Sequence, residues 1–252
     1  MRRKTLMHLL RRHKSVLTAL GIYWPAIFWL THIPVPEIAR RSGMSDKTMH
    51  VLAYFVLTFL IWFAVSPYDK IRWDKLKTWI VIAIITVYAA LDECLQGMIM
   101  GRSSDIIDFL SDILGMAAGV VVLMLFDFWP AMLTASAVFI FVVSTMSNLP
   151  HIYPKYHLDS IFHFTAYAAF TFIWIQHQRR SVFFRRFNML FALIIPVFLL
   201  LAVITAARFW GRSISSAGIF AAIAGICLVL FSAGAACLIK SRLKKNANKD
   251  FQ

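Results

Sequence analysis

Asp92, Glu93, Asp105, Asp108 and Asp112 fall within one short segment and make up five of the chain's 12 acidic residues. Each lies inside or at the border of an apolar stretch long enough to cross a bilayer. A carboxylate at the centre of a spanning helix costs roughly 2.5–3.5 kcal/mol on insertion scales, so such a residue is read as part of a site. Carboxylates held close together favour one protonated and one ionised form, the arrangement of a general acid beside a base. On that chemistry Asp92, Glu93, Asp108 and His50 are the candidate catalytic groups. Arg102, Gln96, Tyr54, Asp105 and Asp112 are the candidate substrate-binding groups, with Arg102 as the counter-ion able to hold a phosphate. Histidine with carboxylate oxygens also suits zinc or manganese. The spacing matches no standard metal motif, so no metal ligand is assigned and no cofactor is expected.

These residues are far apart in the chain, and only long elements bring them together. Apolar stretches run over Ser15–Ile33, Thr48–Val65, Leu76–Leu95, Asp105–Phe126, Ala131–Met146, Ser160–Ile175, Met189–Ala207 and Ser215–Leu238. Each is about 20 residues, the length of a membrane-spanning helix. Pro25 and Pro196 lie inside spans, where neighbouring helices can satisfy a freed carbonyl. The chain is 60% hydrophobic and only 15% charged, too apolar for an ordinary soluble domain. The expected class is all-α: a polytopic helical membrane protein with about eight transmembrane helices. The basic start followed by an apolar run could mimic a signal peptide, but no small-residue cleavage site follows, and a retained first span is expected.

Net charge is +14, with the basic residues set in short stretches between apolar runs. That is the topogenic pattern of membrane proteins; no nucleic-acid motif accompanies it, and no nucleic-acid partner is expected. With the N-terminus in the cytoplasm, 19 of the 26 Lys and Arg fall on the cytoplasmic side, so both termini are placed there. His50, Tyr54, Asp92–Gln96, Arg102 and the aspartates near residue 105 then share the outer face. Helical spacing agrees. Asp105, Asp108 and Asp112 follow i, i+3, i+7; Asp46, His50 and Tyr54 follow i, i+4, i+8; Asp92 and Gln96 are i, i+4. Each set is one stripe, and polar stripes on spanning helices face the bundle. Cys94, Cys227 and Cys237 form no disulfide or zinc pattern and read as buried apolar residues. The tryptophans fall mostly near span ends, as an aromatic belt.

The chain also repeats itself. Asp46, His50 and Tyr54 recur as Asp159, His163 and Tyr167, and Gly101-Arg102-Ser103 recurs as Gly211-Arg212-Ser213. This suggests two tandem four-helix units in parallel orientation, over residues 1–128 and 129–252. The second copy carries Ala202–Ala206 where the Asp92–Gln96 motif would fall, and Ser215, Gly218 and Ala222 opposite the three aspartates. A four-helix plan therefore does not require those acids.

The first unit resembles the VanZ-like family of membrane proteins. The resemblance rests on Asp46-Lys47-x-x-His50 with Tyr54, Asp92-Glu93-x-x-Gln96, Gly101-Arg102, Asp108 and Gly115. It departs at Asp112, where such proteins usually carry Asn. It implies a bacterial envelope protein of the cytoplasmic (inner) membrane and, through the family's name, a link to glycopeptide (teicoplanin) resistance. It implies no particular reaction.

Plainer roles stand beside these. Asp46, Asp159 and Asp105 sit where a helix N-cap is expected. His163, whose unit lacks the other acids, reads as structural, bonded to its own Asp or to the other unit's groups. Arg208 reads as a snorkelling anchor. Three functions remain open: an enzyme on a lipid-linked or cell-wall-related substrate, a transporter or flippase, and a non-catalytic binding module. The lipid bilayer is a partner in all three.

Overall fold

A computed structural model describes residues 2–32, 43–67, 69–99, 104–147, 157–180 and 189–249, with residues 2–12, 189 and 240–249 described in backbone alone. Eight helices occur among the described residues: α1 (Arg2–Thr31), α2 (Asp46–Val65), α3 (Leu76–Gln96), α4 (Ile106–Leu125), α5 (Phe128–Met146), α6 (Leu158–Arg180), α7 (Met189–Phe209) and α8 (Ser216–Lys249). Seven of them, α2 to α8, are long and apolar enough to cross a membrane, with mean hydropathy from 1.3 to 2.9. The expected first span is not among the seven. Thr18, Tyr23, Trp24 and Pro25 interrupt its aliphatic residues and dilute its apolar character.

Contacts divide the chain into Met1–Ala135 and Ser136–Gln252, so the division falls within α5. In the first unit α2 is the central helix, touching α1, α3 and, most closely, α4. The close crossing has a specific cause. A Cβ on Gly115 would lie 2.2 Å from the Val51 carbonyl oxygen, and one on Gly119 would lie 2.9 Å from Thr58 Cβ. Small residues four apart let two spanning helices meet backbone to backbone. Tyr54, Leu57, Phe59, Trp62, Val81, Ile85 and Leu123 fill the apolar core around that crossing.

The second unit uses the same device. Its α6 and α8 make the closest pair, and a Cβ on Gly225 would lie 2.4 Å from the Phe164 carbonyl oxygen. Two further details match. Thr58 Oγ1 donates to the Tyr54 carbonyl at 2.7 Å, and Thr171 Oγ1 to the Tyr167 carbonyl at 2.7 Å.

Helix ends are satisfied locally. Ser45 caps α2, its Oγ accepting from the Thr48 amide at 3.1 Å; the expected cap, Asp46, is instead the first helical residue. Serine fits there because its short side chain reaches back to the third amide. Asp105 caps α4, accepting from the Ile107 amide at 2.9 Å. Asp159 is no cap either: it lies inside α6 and its buried carboxylate reaches across to the Ser215 hydroxyl at the start of α8. At the far end of α4, the α2–α3 connection covers the last carbonyls: the Ile71 amide donates to Leu123 O at 3.0 Å and Lys70 Nζ to Leu125 O at 2.8 Å. A lysine there also complements the negative end of the helix dipole.

At the same end Asp69 accepts from Ser66 Oγ and Lys77 Nζ. Lys77 first, then Ser66, holds the Asp69 carboxyl below the usual carboxylate range. A depressed folded pKa stabilises above the unfolded pKa, and the contribution is lost as pH falls through the folded pKa. The group is 62% exposed, so solvent screening keeps the effect to at most about 1 kcal/mol. Asp69→Asn is expected to lower stability by that small amount at neutral pH and by nothing in strong acid, measured by unfolding in detergent at both pH values.

The exterior is apolar. Leu76, Val87, Leu91, Leu110, Leu114, Phe198 and Phe231 are all exposed. Cys94, Cys227 and Cys237, expected to be buried, are exposed as well. In a membrane the lipid-facing surface is itself an apolar environment, so a small apolar residue on a span has no need of the protein interior. Trp62 departs from the aromatic belt in the opposite way: it is fully buried and its Nε1 donates to the Asp69 carbonyl at 2.9 Å.

Candidate functional site

The start of α2, the end of α3 and the start of α4 meet at one end of the first unit, joined by the end of α1. Their polar side chains turn inward. His50 is 4% exposed, Asp92 1%, Glu93 5%, Gln96 3%, Asp108 6% and Asp112 0%. Tyr54, one turn below His50, is buried with them and stacks on Tyr88 of α3 at 5.9 Å between ring centroids. The sequence stripes thus converge on one another, as the helical periods require.

Three sets of bonds organise the cluster. Outermost, Lys47 Nζ donates to Asp108 Oδ1 at 2.9 Å and to Asp105 Oδ2 at 3.1 Å. On the α1–α3 side, Asp92 accepts from Gln96 Nε2 at 2.8 Å and from Thr31 Oγ1 at 3.0 Å, with His32 Nδ1 at 3.6 Å. Deepest, His50 Nδ1 lies 2.8 Å from Asp112 Oδ1. Glu93 stands between these sets and accepts the Asp105 amide on Oε2 at 3.1 Å.

The cluster is not fully satisfied. Glu93 Oε1, Asp112 Oδ2, Tyr54 OH and Tyr88 OH are buried without a hydrogen-bond partner among the described residues. Buried polar atoms are rarely left so, and each costs about 1–3 kcal/mol. Two groupings of ligating atoms also arise, each within 4.8 Å: His50, Glu93 and Asp112, and Asp46, His50 and Asp108. The first is wholly buried; the second includes exposed Asp46.

Of the residues singled out in the sequence, His50, Tyr54, Asp92, Glu93, Gln96, Asp105, Asp108 and Asp112 come together here. Arg102 lies outside the described residues. Lys47 supplies the described counter-charge for Asp105 and Asp108; the sequence reading had treated it only as an outer-face charge and a motif member. Thr31, His32 and Tyr88 were also missed as site residues. Tyr88 was detectable, since Tyr88, Asp92 and Gln96 form a single i, i+4, i+8 stripe. Thr31 was not: nothing in its spacing points to Asp92.

In the second unit His163 and Asp159, spaced like His50 and Asp46 in the sequence, bond locally. His163 Nδ1 lies 2.8 Å from the Asp159 carbonyl oxygen and 3.0 Å from Asp159 Oδ1, and Ser144 Oγ is 3.3 Å from His163 Nε2. Gly218 stands where α8 meets the Asp159 carboxylate, and an added Cβ would lie 2.4 Å from it. Its histidine thus contacts its own Asp, one of the partners expected for it.

Seven helices long and apolar enough to span a bilayer, with buried polar residues gathered inside the first unit, define a multi-pass helical membrane protein. Within it, residues 15–127 match the model of the VanZ/LLP1 family. That match takes in every described residue of the cluster from Thr31 to Asp112. No curated protein and no solved structure matches the chain.

Proposed function

We propose that the protein is a VanZ-like component of the bacterial cell envelope, held in the cytoplasmic membrane with both termini inside, α1 crossing as an eighth span. Its buried acid–histidine cluster faces the outer leaflet and acts on a lipid-linked or cell-wall-related substrate. Asp92, Glu93, Asp108 and His50 serve proton transfer; Gln96, Tyr54, Asp105, Asp112 and Arg102 hold the substrate. One observation carries this reading: buried oxygens of Glu93 and Asp112 stand without partners at the meeting point of three helices. Unfilled acceptors of this kind suit a ligand's donors and stabilise the fold only when filled. The glycopeptide link of the family gives the physiological context.

The same reading treats the second unit as a copy of the four-helix plan that has lost its chemistry. Support comes from the paired glycine crossings at Gly115 and Gly225 and from the paired threonine bonds at Thr58 and Thr171.

The test is a susceptibility measurement in a glycopeptide-sensitive host. Expression of the wild-type chain is expected to raise the inhibitory concentration of teicoplanin. Glu93→Gln and Asp108→Asn are expected to abolish the effect at equal abundance in the membrane. Full protection by Glu93→Gln would sink the proposal.

A further inference from the structure

We propose that His50, Glu93 and Asp112 bind one divalent cation of the zinc or manganese type. One donor atom from each residue lies within 4.8 Å of the other two, and all three residues are buried. Ligands on one zinc stand at about 2.0–2.2 Å from the metal in a tetrahedron, so neighbouring donors lie about 3.4 Å apart. Side-chain adjustment of less than about 1 Å closes this set onto an ion.

The bonding around the set points inward. Glu93 spends Oε2 on the Asp105 amide, which fixes the carboxylate and leaves Oε1 facing the interior without a partner among the described residues. Asp112 Oδ1 lies 2.8 Å from His50 Nδ1, a contact between two of the three ligands whose shared proton leaves when an ion binds, and its Oδ2 is equally bare. A fixed second oxygen, as on Glu93, is how proteins orient metal-binding carboxylates. Charge argues the same way. Two carboxylates and a histidine share a buried space, and the ammonium of Lys47 is engaged with Asp105 and Asp108 above it. An uncompensated buried carboxylate is costly, and a dication between two of them offsets both. Imidazole with carboxylate oxygens suits zinc or manganese, whereas magnesium and calcium favour oxygen alone.

The alternative grouping of Asp46, His50 and Asp108 is less apt. Asp46 is exposed, and Asp108 already accepts from Lys47 at 2.9 Å. Among the described residues the second unit offers His163 one carboxylate, Asp159, so a single ion per chain is expected.

This inference makes His50, Glu93 and Asp112 ligands in place of the proton-transfer and substrate-holding roles proposed above, and its measurement uses the metal alone, so it stands or falls separately from the lipid-linked substrate. The full chain, purified in detergent and stripped with chelator, is titrated with zinc and with manganese by calorimetry. Bound metal is counted by elemental analysis. About one ion per chain is expected, with a rise in Tm on binding. Glu93→Gln, which preserves shape, is expected to weaken binding by more than about 100-fold, beyond what disturbing a supporting contact does. Asp112→Asn should do the same while its metal-free Tm shows that it still folds. Unchanged affinity in Glu93→Gln, no ion above background, or a loss confined to Asp46→Asn each overturns the assignment.

Discussion

Gly115→Ala is expected to destabilise the first unit by about 1–3 kcal/mol, the usual range for forcing extra volume into a close-packed interface. The reason is the partner atom. A Cβ at this position meets the Val51 carbonyl oxygen at 2.2 Å and the Val51 carbonyl carbon at 3.0 Å. Those are backbone atoms inside a helix, so no side chain can rotate out of the way; α2 and α4 must separate. Separation loosens the whole seam, including Gly119 against Thr58. Replacing a helical glycine by alanine by itself gains about 1 kcal/mol of helix propensity, so the observed loss is the steric term less that gain. Gly225→Ala, facing the Phe164 carbonyl oxygen at 2.4 Å, is expected to behave alike. Gly21→Ala is the control: nothing lies within 4 Å of its added Cβ, and it should be neutral or stabilising. Thermal or denaturant unfolding of the three variants in detergent decides the matter. Equal stabilities for Gly115→Ala and Gly21→Ala would show that the crossing is not as close as described.

His50→Ala and Asp112→Ala are each expected to cost about 3–5 kcal/mol, because each strands a buried partner. Asp112 is 0% and His50 4% exposed, so water cannot replace the lost bond. The double variant removes both groups and should cost clearly less than the sum of the singles. A coupling of about 1–3 kcal/mol in the cycle would mark a direct interaction. Asp112→Asn retains an acceptor for His50 and should fold nearly as well as wild type. It also removes a buried negative charge, which favours the metal-free protein. Strictly additive losses would mean that His50 and Asp112 do not interact.

The spanning helices were legible because apolar length is a one-dimensional signal. Their number came through apart from the first, where aromatic, proline and polar residues blur the pattern. The convergence of Asp92, Glu93, Asp108 and His50 was legible too, since alternate crossings return the chain to the same end. What was not legible was pairing. His50 bonds Asp112 rather than Asp46 because of how α2 is rotated against α4, and that rotation is set by Gly115 on the Val51 carbonyl, a contact between backbones. Periodicity gives a residue's face but not the partner across the seam. The caps were half legible for a similar reason: Ser45 and Asp46 both suit an N-terminus, and local geometry chose the shorter side chain. Lys47 was hidden by a second role, since its charge also counts in the inside–outside bias.

Glu93 has a consequence for motion. One oxygen holds the amide at which α4 begins; the other faces the interior. The two are joined by a rigid carboxylate plane, so a pull on the inner oxygen tilts the outer one. Anything that occupies the interior therefore tugs on the extended Asp105 backbone, and anything that lifts that backbone rotates Glu93 away from the interior. A single side chain acts as a latch between the floor of the cluster and the chain that leads into α4.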